Sequence, residues 1–256
     1  MIRYSVVIPT WNEAPWLPRL LSLLTMCPDV GEIIVADNKS SDATALLASS
    51  FGCHVVPGGR PAVGRNAGAR VAKGEVILFI DADAVLSAAT FAKINTYFSS
   101  DQGVGIHFPL RPLGADRFAT ICYGVMDTYV RTLARLGISQ GVGTFIAARR
   151  NAFEAIGGFR EEIAAGEDAD FIRRLSRVGP VLYDRTAVVY ASARRFKIEN
   201  CYVFAAKTIF WACLRLLGTS ASIFQYRWAS YPKEIAAFED GEMNALLHRK
   251  LAREWV

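Results

Sequence analysis

The sequence predicts an α/β protein built on a mainly parallel, Rossmann-like sheet with helices on both faces. Three observations carry this. Short apolar runs alternate with segments of helical period through the first hundred residues. One run, Val76-Ile-Leu-Phe-Ile80, is apolar at every position, as expected of a strand buried on both faces. It ends abruptly in two carboxylates one residue apart, Asp81 and Asp83, at what would be the carboxyl edge of the sheet, where open α/β folds bind ligands.

The elements follow in order. Tyr4 to Ile8 reads as the first strand, and Leu17, Leu20, Leu21 and Leu24 recur at helical spacing behind it. Glu32 to Ala36 is a second strand; Ser40, Ser41 and Asp42 supply cap chemistry for a helix through Ala48. Cys53 to Val56 is a third strand, Pro61 to Val71 a helix, and the run ending at Ile80 a fourth strand, which makes a βαβ series. Ser87 to Phe98 is the next helix and Val104 to Phe108 the next strand, after which residues 115–136 turn longer and more helical. A soft boundary near residue 196 separates a domain at 1–196 from a helical extension at 197–256. No internal repeat or Gly/Ser linker interrupts the chain.

Composition narrows the class. With 52% hydrophobic and 21% charged residues over 256 positions, the chain is a packed protein with room for one large α/β domain. A net charge of +5 without a long basic run gives no case for nucleic acid and is satisfied by anionic phosphates or a membrane surface. Five cysteines without Cys-x-x-Cys spacing read as reduced thiols of a cytoplasmic protein, and three isolated histidines, His54, His107 and His248, make no zinc pattern. The run from Met1 directly into a strand carries no secretory pattern.

If the extended backbone continued through Ala82, Asp81 and Asp83 would point to the same side. Two such oxygen donors suit Mg²⁺ or Mn²⁺ shared with a substrate phosphate; the competing reading is that they cap the next turn. Glu167, Asp168 and Asp170 open a helix running through Leu175, where carboxylates complement the amide end by roughly 0.3 to 1 kcal/mol.

Six ordered segments carry a family resemblance: Ser5-Val-Val-Ile-Pro-Thr-Trp-Asn-Glu13, Glu32-Ile-Ile-Val-Ala-Asp-Asn-Lys-Ser-Ser-Asp42, Gly64-Arg-Asn-Ala-Gly68, Ile80-Asp-Ala-Asp83, Gly157-Gly-Phe159 and Gly166-Glu-Asp168. Together they resemble the motifs of family 2 glycosyltransferases, over roughly residues 3–196. The resemblance implies a GT-A fold and an inverting transfer of sugar from a nucleotide-diphospho-sugar, a UDP-sugar foremost, to a glycan or lipid-linked acceptor. It places Pro9, Trp11, Glu13 and Asp37 at the nucleotide's base and ribose, with Asp37 alternatively serving an Asx-turn or cap. It puts Arg65 at the nucleotide pocket, Asp83 on a Mn²⁺ or Mg²⁺ ion with Asp81 beside it, and Asp168 as the base that deprotonates the acceptor. Gly158, Phe159 and Glu167 fall on the acceptor side. Arg194 or Arg195 resembles a basic segment over the donor diphosphate, against the alternative of a solvated turn. Some relatives add a metal-binding histidine after the last core strand; Val188-Val-Tyr-Ala-Ser192 has none.

Beyond the core, a helix from Lys197 to Leu217 would gather Lys197, Lys207 and Arg215 on one narrow face opposite an apolar arc. Two readings stand: an interfacial helix on the inner membrane surface, and an amphipathic helix docked on the domain. A membrane span is opposed by cations near its middle, each costing roughly 2.5 to 3.5 kcal/mol. Two other function classes share the strand pattern. A sugar-1-phosphate nucleotidyltransferase would carry a Gly-rich basic loop after the first strand, which Ile8-Pro-Thr-Trp-Asn-Glu13 lacks; a non-catalytic nucleotide-sugar-binding module would keep the fold alone.

Overall fold

The computed structural model describes residues 3–100, 103–114, 117–163 and 165–194. The extension at 197–256, with its amphipathic segment, and Arg195 lie outside the described residues. The first half alternates as expected: β1 (Tyr4–Thr10), α1 (Leu17–Thr25), β2 (Val30–Asp37), α2 (Thr44–Ser50), β3 (His54–Pro57), α3 (Pro61–Val71) and β4 (Val76–Ile80). Then come β5 (Ala84–Leu86), α4 (Ala88–Ser99), β6 (Gly105–His107), β7 (Leu110–Pro112), α5 (Arg117–Arg135) and β8 (Phe145–Arg149). Helices α6 (Arg150–Ala155) and α7 (Glu167–Leu175) lead to β9 (Val181–Tyr183) and β10 (Val189–Ala191).

Seven strands form the main sheet in the order β3-β2-β1-β4-β8-β6-β9. The first four are parallel, with Tyr4 to Val7 in register with Val76 to Phe79. The sheet is mainly parallel, with one reversed strand that the sequence reading did not foresee: β8 runs antiparallel between β4 and β6. Its apolar run Phe145-Ile-Ala-Ala148 has no alternation from which a strand could be told from a buried helix. Within Val188 to Ser192, β10 joins a second sheet of order β5-β10-β7.

Alternation along β1 and β4 divides the interior into two cores. Tyr4, Val6, Ile8, Val76, Leu78 and Ile80 face a cluster with the α1 leucines, Phe91 and Ile94 of α4, and Tyr123 of α5. Val7, Ile77 and Phe79 face the opposite cluster, with Ala62 and Ala69 of α3, Phe153 of α6, and Phe171 and Ile172 of α7. A strand buried on both faces has no polar side to show, which is why β4 is apolar throughout.

Local signals fix the ends. Ser87 caps α4: its Oγ accepts from Thr90 N at 3.2 Å while Thr90 Oγ1 accepts from Ser87 N at 3.4 Å. α3 lies close over β1 because it presents glycine there. A Cβ on Gly68 would stand 2.4 Å from Val7 Cγ1, so only hydrogen fits. No helix among the described residues is long and apolar enough to cross a membrane.

Candidate active site

The parallel strands deliver their carboxyl ends to one edge, and the loops that follow them are laced together. Asn12, in a left-handed conformation (φ 57°), donates from its backbone to Ser40 Oγ at 2.8 Å and accepts from Ser41 N at 2.8 Å. Glu13 N donates to Thr44 Oγ1 at 2.8 Å. Asp37, at the end of β2, accepts from Thr10 Oγ1 at 3.0 Å and from Ser40 N, three residues on, at 2.9 Å, which makes it a side-chain cap of the turn that follows. Pro9 and Trp11 are half-buried on the β1 side of this loop pair.

At the end of β4 the extended backbone stops. Asp81 N still donates to Thr144 O at 3.0 Å, but Ala84 N returns to Asp81 O at 3.0 Å and closes a turn. Asp81 and Asp83 are therefore not successive same-face residues of one strand, as the extended reading had them. Each carboxylate is held by a different guanidinium: Asp81 Oδ1 by Arg65 Nη2 at 2.9 Å, and Asp83 Oδ2 by Arg194 Nε at 3.1 Å.

Arg65, 2% exposed, is among the largest fully buried side chains of the described residues. Its Nη2 also donates to Gly143 O at 3.0 Å, and its Nη1 to Glu167 Oε1 at 2.8 Å. Burial works against its charge, but Asp81, Glu167 and Asp168 outweigh burial and raise its pKa. The fork expected at the nucleotide pocket is turned inward, onto two carboxylates.

Helix α7 starts at Gly166, whose φ of 81° is a conformation glycine adopts without strain. Glu167 and Asp168 occupy its first turn. Burial foremost, then repulsion from Asp168, raises the Glu167 carboxyl above its ordinary range, with Arg65 opposing. Asp168 lies against Gly143: a Cβ there would meet Asp168 Cβ at 3.0 Å, Asp168 Oδ2 at 3.1 Å and Arg65 Nη2 at 3.1 Å. Nothing in the sequence singled out Gly143, because a glycine required by a distant contact has no local signature.

The Gly157-Gly-Phe159 turn is held from α3. Gly157 and Gly158 both have positive φ, 73° and 71°. Asn66 Nδ2 donates to Phe159 O at 2.8 Å, and Phe159 N donates to Asn66 Oδ1 at 2.9 Å. The Phe159 ring, read from sequence as part of the acceptor side, belongs to the core: it stacks on Phe171 at 4.0 Å and meets Phe79 edge-on at 5.0 Å. A large apolar ring gains more from that enclosure than from the cleft edge.

Arg194 lies against the loop that follows β1. Its two terminal nitrogens fork onto Glu13 and its guanidinium lies 5.3 Å over the Trp16 ring. Glu13, expected at the base and ribose, is thus engaged by the residue expected at the diphosphate. Burial raises Glu13 to about 7 against the attraction of Arg194, with Asp83 and Asp81 adding to the rise. Among the described residues the edge brings five carboxylates (Glu13, Asp81, Asp83, Glu167 and Asp168) to two guanidiniums. No group of three or more His, Cys, Asp or Glu among the described residues makes a complete protein metal site. Asp81 and Asp83 nonetheless fit a hard divalent cation that takes its remaining oxygens from phosphate and water, and the excess of carboxylate over guanidinium favours such an ion.

Comparison with known proteins agrees with the geometry. An uncharacterized glycosyltransferase of Mycobacterium tuberculosis (strain ATCC 25618 / H37Rv) is 31% identical over 157 residues, covering 60% of this chain and 70% of the relative. The O-antigen chain rhamnosyltransferase RfbN of Salmonella typhimurium is 26% identical over 233 residues, covering 83% of this chain and 73% of the relative. Among solved structures, the mannosyltransferase PcManGT from Pyrobaculum calidifontis, in complex with GDP-Man and Mn²⁺, superposes with a TM-score of 0.64 at 17% identity, covering 96% of this chain and 70% of that one. That likeness concerns the fold, which is GT-A. Residues 5–157 match the sequence profile described as Glycosyl transferase family 2, and the chain belongs to that family.

Proposed function

We propose that this glycosyltransferase moves a sugar from a nucleotide-diphospho-sugar to an acceptor hydroxyl in one inverting displacement, with Asp168 as general base. The observation that carries the reading is the convergence on Gly143: Asp168 abuts it, and the guanidinium that holds Asp81 bonds its carbonyl. The carboxylate read as the base and a carboxylate suited to the donor's metal thus share one small region. PcManGT was solved with GDP-Man and Mn²⁺, and RfbN is named a rhamnosyltransferase, which supports the same chemistry here.

Asp81 and Asp83 would hold Mn²⁺ or Mg²⁺, which supplies charge neutralisation at a diphosphate leaving group. The rest falls to side chains of this chain. Pro9, Trp11, Glu13 and Asp37 line the nucleotide end. Asp168 accepts the acceptor's hydroxyl proton as that oxygen forms its bond to the anomeric carbon; the bond from that carbon to phosphate breaks, and its electron pair leaves with the diphosphate. The acceptor class we favour is a glycan or lipid-linked sugar.

The test titrates the full chain with UDP-, GDP- and dTDP-sugars in the presence of Mn²⁺ and follows donor turnover. Asp168→Asn should lose roughly 10²- to 10⁴-fold in transfer while binding the donor nearly as well. Undiminished transfer in that variant rejects the base, and binding of no donor by the wild type rejects the whole assignment.

A further inference from the structure

Arg65 and Asn66 are neighbours on α3, yet between them they hold elements that the proposed function assigns to opposite sides of the transfer. Arg65 Nη2 bonds Asp81, on the metal side, at 2.9 Å. Nη1 bonds Glu167, the residue before Asp168, at 2.8 Å. Asn66 Nδ2 grips Phe159 O at 2.8 Å and Glu161 Oε1 at 2.9 Å.

We propose that Arg65 is a positioning residue that couples the metal-side carboxylate Asp81 to the helix bearing the base Asp168, with Glu167 as its second anchor. The inference rests on the functional reading above. A guanidinium is a rigid planar fork, so one Arg bonded to two carboxylates fixes their separation and relative angle. Arg65 has no slack in which to adjust: it is 2% exposed, donates also to Gly143 O, and lies 5.4 Å over the Phe159 ring. A lysine at this position could not reproduce the arrangement, because a single ammonium on a flexible stem cannot span the two anchors in fixed directions.

Sharing one cation between two carboxylates has a direct consequence. Each partner competes for the same charge, so neutralising Glu167 leaves Arg65 a fuller counter-ion for Asp81. A divalent cation arriving at Asp81 must then work against a stronger hold. A substitution on the base-bearing helix is expected to weaken ion and nucleotide binding at the other side of the cleft, although Glu167 itself contacts no donor in this reading.

The test measures calorimetric binding of Mn²⁺ with UDP, and separately Mn²⁺ with GDP, to the full-length wild type, Glu167→Gln, Arg65→Lys and the double variant, with thermal unfolding followed in parallel. Glu167→Gln should weaken Mn²⁺–nucleotide binding about fivefold, a size typical of coupled neighbours. In the Arg65→Lys background the same change should have little effect, since an ammonium cannot bond both anchors at once. Should Arg65→Lys not fold, Asp81→Asn replaces it in the cycle and the same non-additivity is expected. A residue that merely braces the fold would lower the unfolding midpoint without making the affinities non-additive. Additive affinities, or no effect of Glu167→Gln, overturn the coupling while leaving the functional reading intact. Failure of the wild type to bind either nucleotide with Mn²⁺ overturns both.

Discussion

Glu13 and Arg194, 181 residues apart in the chain, are joined by two parallel contacts of 2.8 Å each. The pair ties the loop that follows β1 to the residues that follow β10. It also sets the charge beside the end of β4, because the third nitrogen of the same guanidinium lies 3.1 Å from Asp83 Oδ2.

Removing one partner would strand the other in a poorly solvated position. Arg194→Met is expected to destabilise the protein by about 3 to 5 kcal/mol, the usual cost of breaking a buried pair. Adding Glu13→Gln should recover part of that loss, since Asp83 is then the one carboxylate of the two left without Arg194. Urea denaturation of the two single variants and the double variant measures this; strictly additive losses would contradict it.

His107 gives the fold an acid sensitivity of its own. Burial lowers its pKa from 6.5 to about 3, and its ring lies 4.8 Å from that of Tyr183. Between those two pH values an unfolded histidine binds a proton that the folded one refuses. Its contribution to stability is therefore whole above pH 6.5 and is lost as pH falls toward 3. His107→Gln should unfold at a temperature that declines less steeply over this window, and parallel profiles would reject the assignment.

Gly157 and Gly158 offer a matched pair. Both have positive φ, but a Cβ on Gly157 would meet nothing within 4 Å, whereas one on Gly158 would meet Asn66 Oδ1 at 2.7 Å and Phe153 Cζ at 2.8 Å. Gly157→Ala should cost only the left-handed penalty of about 1 to 2 kcal/mol. Gly158→Ala should cost about 1 to 3 kcal/mol more, from the added clash in a packed region. Chemical denaturation distinguishes them, and equal losses would show that the Asn66 contact yields freely.

Much of the fold was legible because its signals are local. The bounds of α3 and α7 follow from Pro61 and Gly166, and β4 declares itself by an apolar run that only a doubly covered strand tolerates. β8 was not legible: Phe145-Ile-Ala-Ala148 is too short and too uniformly apolar to show a period, and its reversed direction is decided by the neighbours it pairs with. Arg65 marks the same divide at the site. Its motif marked it as functional, yet the partners that define its surroundings, Glu167 and Gly143, lie 102 and 78 residues away.

By itself the sequence determined the element order through β4, the two-faced burial of β4 and the acidic ends of β4 and α7, since each follows from side-chain period and capping over a few residues. Tertiary structure alone decided which charges meet. The pairing of Arg65 with Asp81 and Glu167, and of Arg194 with Glu13 and Asp83, depends on how distant loops close over one sheet edge. Burial there makes an unpaired charge costly enough that packing selects the partners.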